Sequence, residues 1–326
     1  MEIGSEFSLN INSLNYKKNN IFNYLKDYNT CYFDTGRSAI KSINIPQGKI
    51  LLPEYICESV TKCFNRKDIV FYKLKDNFEI DEKDILEKID NVKVLFIMHY
   101  FGSIQNINIL NKIKLICAKK SILIIEDTTH SLLSKKSTIG DYMVCSLRKW
   151  FPISRGGVVY SKNKLDIIND CKKDNDNSKI YGMIIKELYL NNKLDEKDLY
   201  LKMFKNYEKQ IDSNREIQYI SDLSKYILSC CDIKEIKKKR IENYQYLLNN
   251  IDIKPINKIK RGECPFVYLI RNDNRDELRR YLINNNIYCA IHWPNCSSNE
   301  LSLTIDNRYS KEDMKYIIKC VNKFNK

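Results

Sequence analysis

The chain has 326 residues, with 55 Lys plus Arg against 41 Asp plus Glu and a formal charge of +14, which is long enough for a large interior and for two domains. No apolar run approaches the ~20 residues of a membrane-spanning helix, and the opening MEIGSEFSLN lacks the basic start and apolar stretch of a secretion signal, so a cytoplasmic protein with no membrane partner is expected. The positive surplus raises nucleic acid as a partner, but lysine is spread along the chain and its densest run, KEIKKKR at 234–240, lies in a helical pattern whose charges should face water; nucleic acid is therefore not expected, and an anionic small substrate fits the same surplus.

In chain order, the first informative segment is TGRSAI at 35–40, where Thr, Gly, Arg and Ser precede an apolar helical pattern. A helix that starts so presents free N–H groups and the positive end of its dipole to an anion, and Gly36 lets the backbone come close; an ordinary capped helix is the alternative. The runs VKVLFIM at 92–98, SILIIE at 121–126 and GGVVYS at 156–161 read as strands buried on both faces. Between the first two, Ile107, Leu110, Ile113 and Ile116 mark one side of a helix over 104–119. This alternation predicts an α/β fold, a mostly parallel sheet flanked by helices with ligands at the carboxyl ends of the strands, and Asp127 stands at such an end.

From about residue 162 to 250 the strand signals fade into helix-favouring sequence, with an Asn/Asp-rich interruption at 169–178. After Pro255 the pattern changes: PFVYLI at 265–270 reads as a strand, 275–285 and 311–324 as helices, together a small C-terminal α+β domain. The expected division is 1–250 and 251–326. The 12 cysteines include no C-x-x-C pair and no Cys/His ligand spacing, so no metal is expected and the thiols should pack as small apolar groups.

The chemistry is concentrated in SLRKWFPISRGG at 146–157, following IIEDTTH at 124–130. A lysine attacks a carbonyl once its amine loses a proton, which burial or a neighbouring positive charge promotes; Arg148 and Arg155 are candidates for that field at Lys149. Pyridoxal phosphate, the aldehyde cofactor handled in this way, also needs an acid opposite its ring nitrogen, a place for Asp127. His130 either donates to a ring hydroxyl or fills the loop. The Ser146 hydroxyl is placed to reach the cofactor phosphate, Pro152 stiffens the loop, and Gly156 and Gly157 permit a tight return. A surface loop with an incidental lysine is the competing reading.

The constellation resembles the DegT-type sugar aminotransferases, pyridoxal-phosphate enzymes of fold type I acting on nucleotide-linked keto sugars. LLPEYICESV resembles the family's Pro-aromatic segment, VLFIMHYFG its strand ending in His and Gly, IIEDTTHS its Glu-Asp-x-x-His turn, and AIHWP and LSLTIDNRYSKEDM its small-domain signatures. The resemblance implies that Lys149 holds the cofactor covalently and then shuttles protons, that Asp127 pairs with the pyridine nitrogen, and that His130 lies near the ring hydroxyl. It places Gly36, Arg37, Ser38 and Ser146 around the phosphate and makes residues 1–250 the cofactor-binding domain. It also implies a homodimer, with an amino acid such as glutamate as donor.

Arg37 occupies a position usually held by threonine, and Cys57 the place where many members carry a ring-stacking aromatic, which leaves Tyr55 or His99 to stack. The Asn-Tyr-Arg loop of many members is absent, and REIQYISDLS at 215–224 lies in that region. His99, Tyr100, His292 and Trp293 are the candidates for the sugar side. Retention of the lysine favours transamination over the deoxygenating branch, where histidine replaces it. A different pyridoxal-phosphate reaction on another carbonyl compound, or a non-catalytic member of the fold, are the alternatives.

Overall fold

A computed structural model describes residues 2–134, 138–214, 216–256, 258–293 and 299–325. In chain order the strands are β1 (Ile3–Gly4), β2 (Asn29–Phe33), β3 (Lys49–Pro53), β4 (Ile69–Tyr72), β5 (Val92–Met98), β6 (Leu123–Asp127), β7 (Tyr142–Ser146), β8 (Gly157–Ser161), β9 (Lys172–Lys173), β10 (Gln218–Tyr219), β11 (Tyr268–Arg271), β12 (Ile287–Tyr288) and β13 (Glu300–Leu303). The helices are α1 (Ile21–Tyr24), α2 (Gly36–Ser42), α3 (Glu58–Thr61), α4 (Glu82–Lys88), α5 (Ile107–Lys120), α6 (Ser178–Leu190), α7 (Lys197–Ser213), α8 (Asp222–Ser229), α9 (Ile233–Asn250), α10 (Arg275–Asn284) and α11 (Lys311–Phe324). The chain forms two compact units, one of Ser5–Asn44 and Val144–Ile233, the other of Glu2–Gly4, Ile45–Met143 and Lys234–Lys326.

In the second unit the strand order is β4-β3-β5-β6, with β3–β4, β3–β5 and β5–β6 all parallel. The β-branched run of β5 buries every residue except Lys93, as expected of a strand covered on both faces. Met98 is opposite Asp127, so the carboxyl ends of β5 and β6 are level. The connecting helix α5 is capped by the Asn106 side chain and ends at Ser121 in the left-handed region. Its buried stripe is Leu110, Ile113 and Cys117, and Ile107, expected on that side, is 41% exposed in the first turn.

Residues from the carboxyl-terminal part of this unit have their own core. The strand β11 pairs antiparallel with β13, β1 pairs parallel with β12, and Tyr268, Ile270, Leu282, Leu301, Met314 and Ile317 pack together. The Ser310 and Asp313 side chains cap α11 reciprocally, which explains why this helix keeps the expected boundaries. The strand predicted from PFVYLI starts only at Tyr268, because Phe266 N–H bonds Phe101 O instead. Arg240, expected to face water with its lysine neighbours, is buried and donates to Phe266 O at 2.7 Å.

In the first unit the order is β7-β8-β2-β10-β9; β2 is antiparallel to β8 from Asn29↔Ser161 to Phe33↔Gly157. Gly157 is required there: a Cβ on it would lie 2.1 Å from Thr35 O. The region expected to be helical carries α6, α7, α8 and α9, and within it β9 and β10 are two-residue edge strands too short for a periodic signal.

Candidate functional site

In the second unit, Asp127 ends β6 and is 5% exposed. Its Oδ1 accepts the Thr129 N–H at 2.8 Å. Burial raises its pKa above the usual carboxylate range, while the Thr129 hydroxyl and N–H and the charge of His99 act in the opposite direction. The ionised form of such a carboxyl gains from a cation brought against it, which is the property that a pyridinium partner requires.

His130 is 2% exposed. Its ring stacks on Phe266, centroids 4.4 Å apart and planes at 15°, and on Trp293, 5.4 Å apart at 2°. Trp293 adopts a φ of 49° and packs edge-on against Tyr55 at 4.9 Å. The Tyr55 hydroxyl donates to His292 O at 2.9 Å, and the Tyr100 hydroxyl donates to Tyr55 O at 2.6 Å. Five of the expected residues, Tyr55, Tyr100, His130, His292 and Trp293, thus share one aromatic cluster, together with Phe101 and Phe266, which sequence reading passed over. Phe266 sat inside a run taken as strand, so nothing in the pattern singled it out.

The structure places His99 elsewhere in this unit. It is fully buried; its Nδ1 accepts the Gln105 N–H at 3.1 Å, and its Nε2 faces Glu126 Oε1 at 3.9 Å. His99 N–H also bonds Asp127 O at 3.3 Å, so this histidine braces the strand end that carries the aspartate. Cys57 heads α3, with Sγ 3.0 Å from Ser59 Oγ. Pro294 of the HWP motif and Arg215 of REIQYISDLS lie outside the described residues.

In the first unit, Thr35 caps α2 by accepting the Ser38 N–H at 3.1 Å, and its hydroxyl is 3.0 Å from the buried Ser38 hydroxyl. A Cβ on Gly36 would stand 3.2 Å from Ser146 Cβ, so the start of α2 abuts the end of β7. Arg37 reaches α7, donating to Ile211 O at 2.6 Å and lying 3.5 Å from Asp212. Lys149 closes the short turn after β7 and is exposed.

Both arginines named for a field at Lys149 are engaged by carboxylates. Arg148 forms a bidentate pair with Glu208 at 2.7 and 3.1 Å, and Lys179 shares that carboxylate at 2.7 Å. Burial works against the Glu208 charge, yet these cations hold its pKa down at about 2. Arg155 lies among Asp34, Asp174 and Asp176 at 3.3 to 3.4 Å and donates Nε–H to the Tyr207 hydroxyl at 2.9 Å. Each guanidinium is therefore balanced by carboxylates distant in sequence, which a local reading of SLRKWFPISRGG had no means to register.

The fold is type I of the pyridoxal-phosphate transferases, in the form found in DegT-type sugar aminotransferases. It is similar over 98% of this chain and 91% of the other to a DegT DnrJ EryC1 StrS aminotransferase from Brucella abortus, at 16% identity and a TM-score of 0.63. The Helicobacter pylori aminotransferase PseC, involved in pseudoaminic acid biosynthesis, matches over 99% of both chains at 14% identity and a TM-score of 0.66. A Streptococcus pneumoniae putative sugar aminotransferase, Spr1654, in its PLP form, matches over 98% of this chain and 92% of that one, at 14% and 0.61. No protein-family model matches the chain, and no curated protein matches it.

Proposed function

We propose that the chain is a pyridoxal-phosphate-dependent aminotransferase that moves an amino group from an amino acid, glutamate in the first instance, to a nucleotide-linked keto sugar. The observation that carries this reading is Asp127: a buried carboxyl at the carboxyl end of β6, in a fold shared over nearly the whole chain with sugar aminotransferases, one of which, Spr1654, is solved in both PLP and PMP form. When bound, the cofactor supplies an electron sink for the carbon whose proton is moved. Asp127 would hold a proton at the ring nitrogen, and His130, packed between Phe266 and Trp293, would serve the ring hydroxyl. Lys149 would hold the cofactor and carry the proton. Gly36, Arg37, Ser38 and Ser146 hold the phosphate; the glycine that keeps α2 flush with Ser146 fits that role. His292 and Trp293 face the sugar, with the protein acting in the cytoplasm as a homodimer without nucleic acid. The large and small domains are 1–250 and 251–326.

The test is spectroscopic. Protein loaded with pyridoxal phosphate should show a visible band that shifts on adding glutamate or another amino donor, and a band that no donor moves excludes transamination. A second reading, a non-catalytic member of the fold, draws on the exposure of Lys149 and the balanced charges of Arg148 and Arg155. That reading requires that the chain leave an added band unchanged with every donor and every keto sugar.

A further inference from the structure

The second unit contains a recess of about 180 Å³, open to solvent, that shares Tyr100 with the aromatic cluster. The floor is apolar: Phe78, Tyr100, Ile104 and Ile256 line it. The rim is polar and carries Lys258 and Lys260 against a single carboxylate, Glu79. Both lysines are exposed, and neither ammonium has an ion-pair partner among the described residues.

The recess is built into the structure on two sides. The Gln105 side chain, 6% exposed, accepts the Ile80 N–H at 3.0 Å and donates to Phe78 O and Met98 O, each at 3.0 Å. Glu263, also buried, accepts the Ile104 N–H at 2.8 Å with one oxygen and the Lys260 N–H at 2.6 Å with the other. One carboxylate thus fixes the spacing between the floor at residue 104 and the basic rim at residue 260. Phe78 adopts a φ of 64°, a conformation that costs a bulky residue free energy and that turns its ring toward Tyr55, Tyr100 and Phe101. A site whose walls are fixed in advance loses little freedom when a ligand enters.

We infer that this recess binds a small molecule in which one oxyanion, phosphate or carboxylate, is joined to a flat or apolar body. The body lies against Phe78, Tyr100 and Ile256, and the oxyanion lies between the Lys258 and Lys260 ammonium groups. The Glu263 carboxylate is taken up by the Ile104 and Lys260 N–H groups, so at the solvent-facing rim two ammonium groups stand against the Glu79 carboxylate. The inference is independent of the reaction assigned to Asp127 and Lys149.

The experiment is calorimetric titration of the full chain with phenyl phosphate, benzoate, inorganic phosphate and phenethylamine, repeated on Lys258→Gln/Lys260→Gln. Phenyl phosphate or benzoate should bind more tightly than inorganic phosphate, and the tighter of the two identifies which oxyanion the site takes. The double variant should bind that ligand about tenfold more weakly while unfolding at the wild-type temperature, since both side chains are exposed. Bound ligand should also protect Lys258 and Lys260 from acetylation, read by peptide mass. The inference is overturned by any of three results: neither aryl anion binds, inorganic phosphate binds as tightly as phenyl phosphate, or the double variant binds as wild type does. Preference for phenethylamine would overturn it as well. None of these readouts depends on turnover, so failure here leaves the transaminase reading standing, and failure of that reading leaves this one.

Discussion

Arg155 and Asp174 stand 3.3 Å apart with side chains only 5% and 3% exposed, and the same guanidinium also faces Asp34 and Asp176. Three carboxylates around one cation leave an excess of buried negative charge. Burial raises the pKa of both Asp34 and Asp174, with Arg155 lowering each. Removing the cation by Arg155→Gln should destabilise the protein by about 3 to 5 kcal/mol at pH 7, the cost of leaving a buried charge uncompensated. A carboxyl raised in the folded state binds more protons folded than unfolded, so its contribution to stability grows as pH falls toward the carboxylate range. Urea midpoints at pH 7 and pH 5.5 should therefore converge between variant and wild type; a gap that widens on acidification contradicts this account.

Asp306 titrates in the opposite sense. Burial works to raise its pKa, but Arg308, bonded at 2.8 and 2.9 Å, and then Arg240 hold it at about 2. The group contributes stability above its unfolded value near 4 and loses it as pH falls through 2. A shift of this size amounts to about 2 kcal/mol. Asp306→Asn should cost about that much at pH 7 and progressively less as pH falls toward 2, measured by denaturant unfolding.

Lys149 is exposed, so Lys149→Ala should unfold within about 0.5 kcal/mol of wild type. The same variant should lose covalent attachment of pyridoxal phosphate and about a hundredfold or more in amino-transfer rate. Intact-mass analysis after borohydride reduction reads the first directly: a variant still carrying the cofactor mass would remove Lys149 from its assigned role.

Gly157 and Gly36 allow a graded comparison. A methyl on Gly157 meets Thr35 O at 2.1 Å, a backbone atom that has to move, whereas on Gly36 it meets Ser146 Cβ at 3.2 Å. Gly157→Ala should destabilise by about 1 to 3 kcal/mol and Gly36→Ala by less. If the Gly36 variant keeps its stability yet binds pyridoxal phosphate more weakly, the junction of α2 with Ser146 serves the cofactor; equal binding would argue that it serves packing alone.

What the amino-acid order disclosed was what lies in periodic runs. The strand at 92–98, the strand that ends at Asp127 and the helix over 311–324 follow from spacing. Asp127 was legible because it closes such a run. The arginine partners were not, since Glu208 lies 60 residues from Arg148 and Asp34 lies 121 from Arg155. His99 was named through the resemblance for the ring face or the sugar side, and its contacts with Gln105 and Glu126 come from residues that the motif does not include. The Gln105 and Glu263 bonds that frame the recess come from side chains with no periodic signature.

The pairing of β1 with β12 has a consequence for synthesis on the ribosome. Ile3 is sealed in a core with Leu301 and Ile317, and the Tyr309 hydroxyl both receives the Gly4 N–H and donates to Gly4 O, each at 2.8 Å, across 305 positions. Residues 3 and 4 must therefore wait until residues 287 and 288 have been made before that strand acquires a neighbour. A nascent chain halted before residue 287 would leave Ile3 accessible to a protease, whereas the released product would shield it.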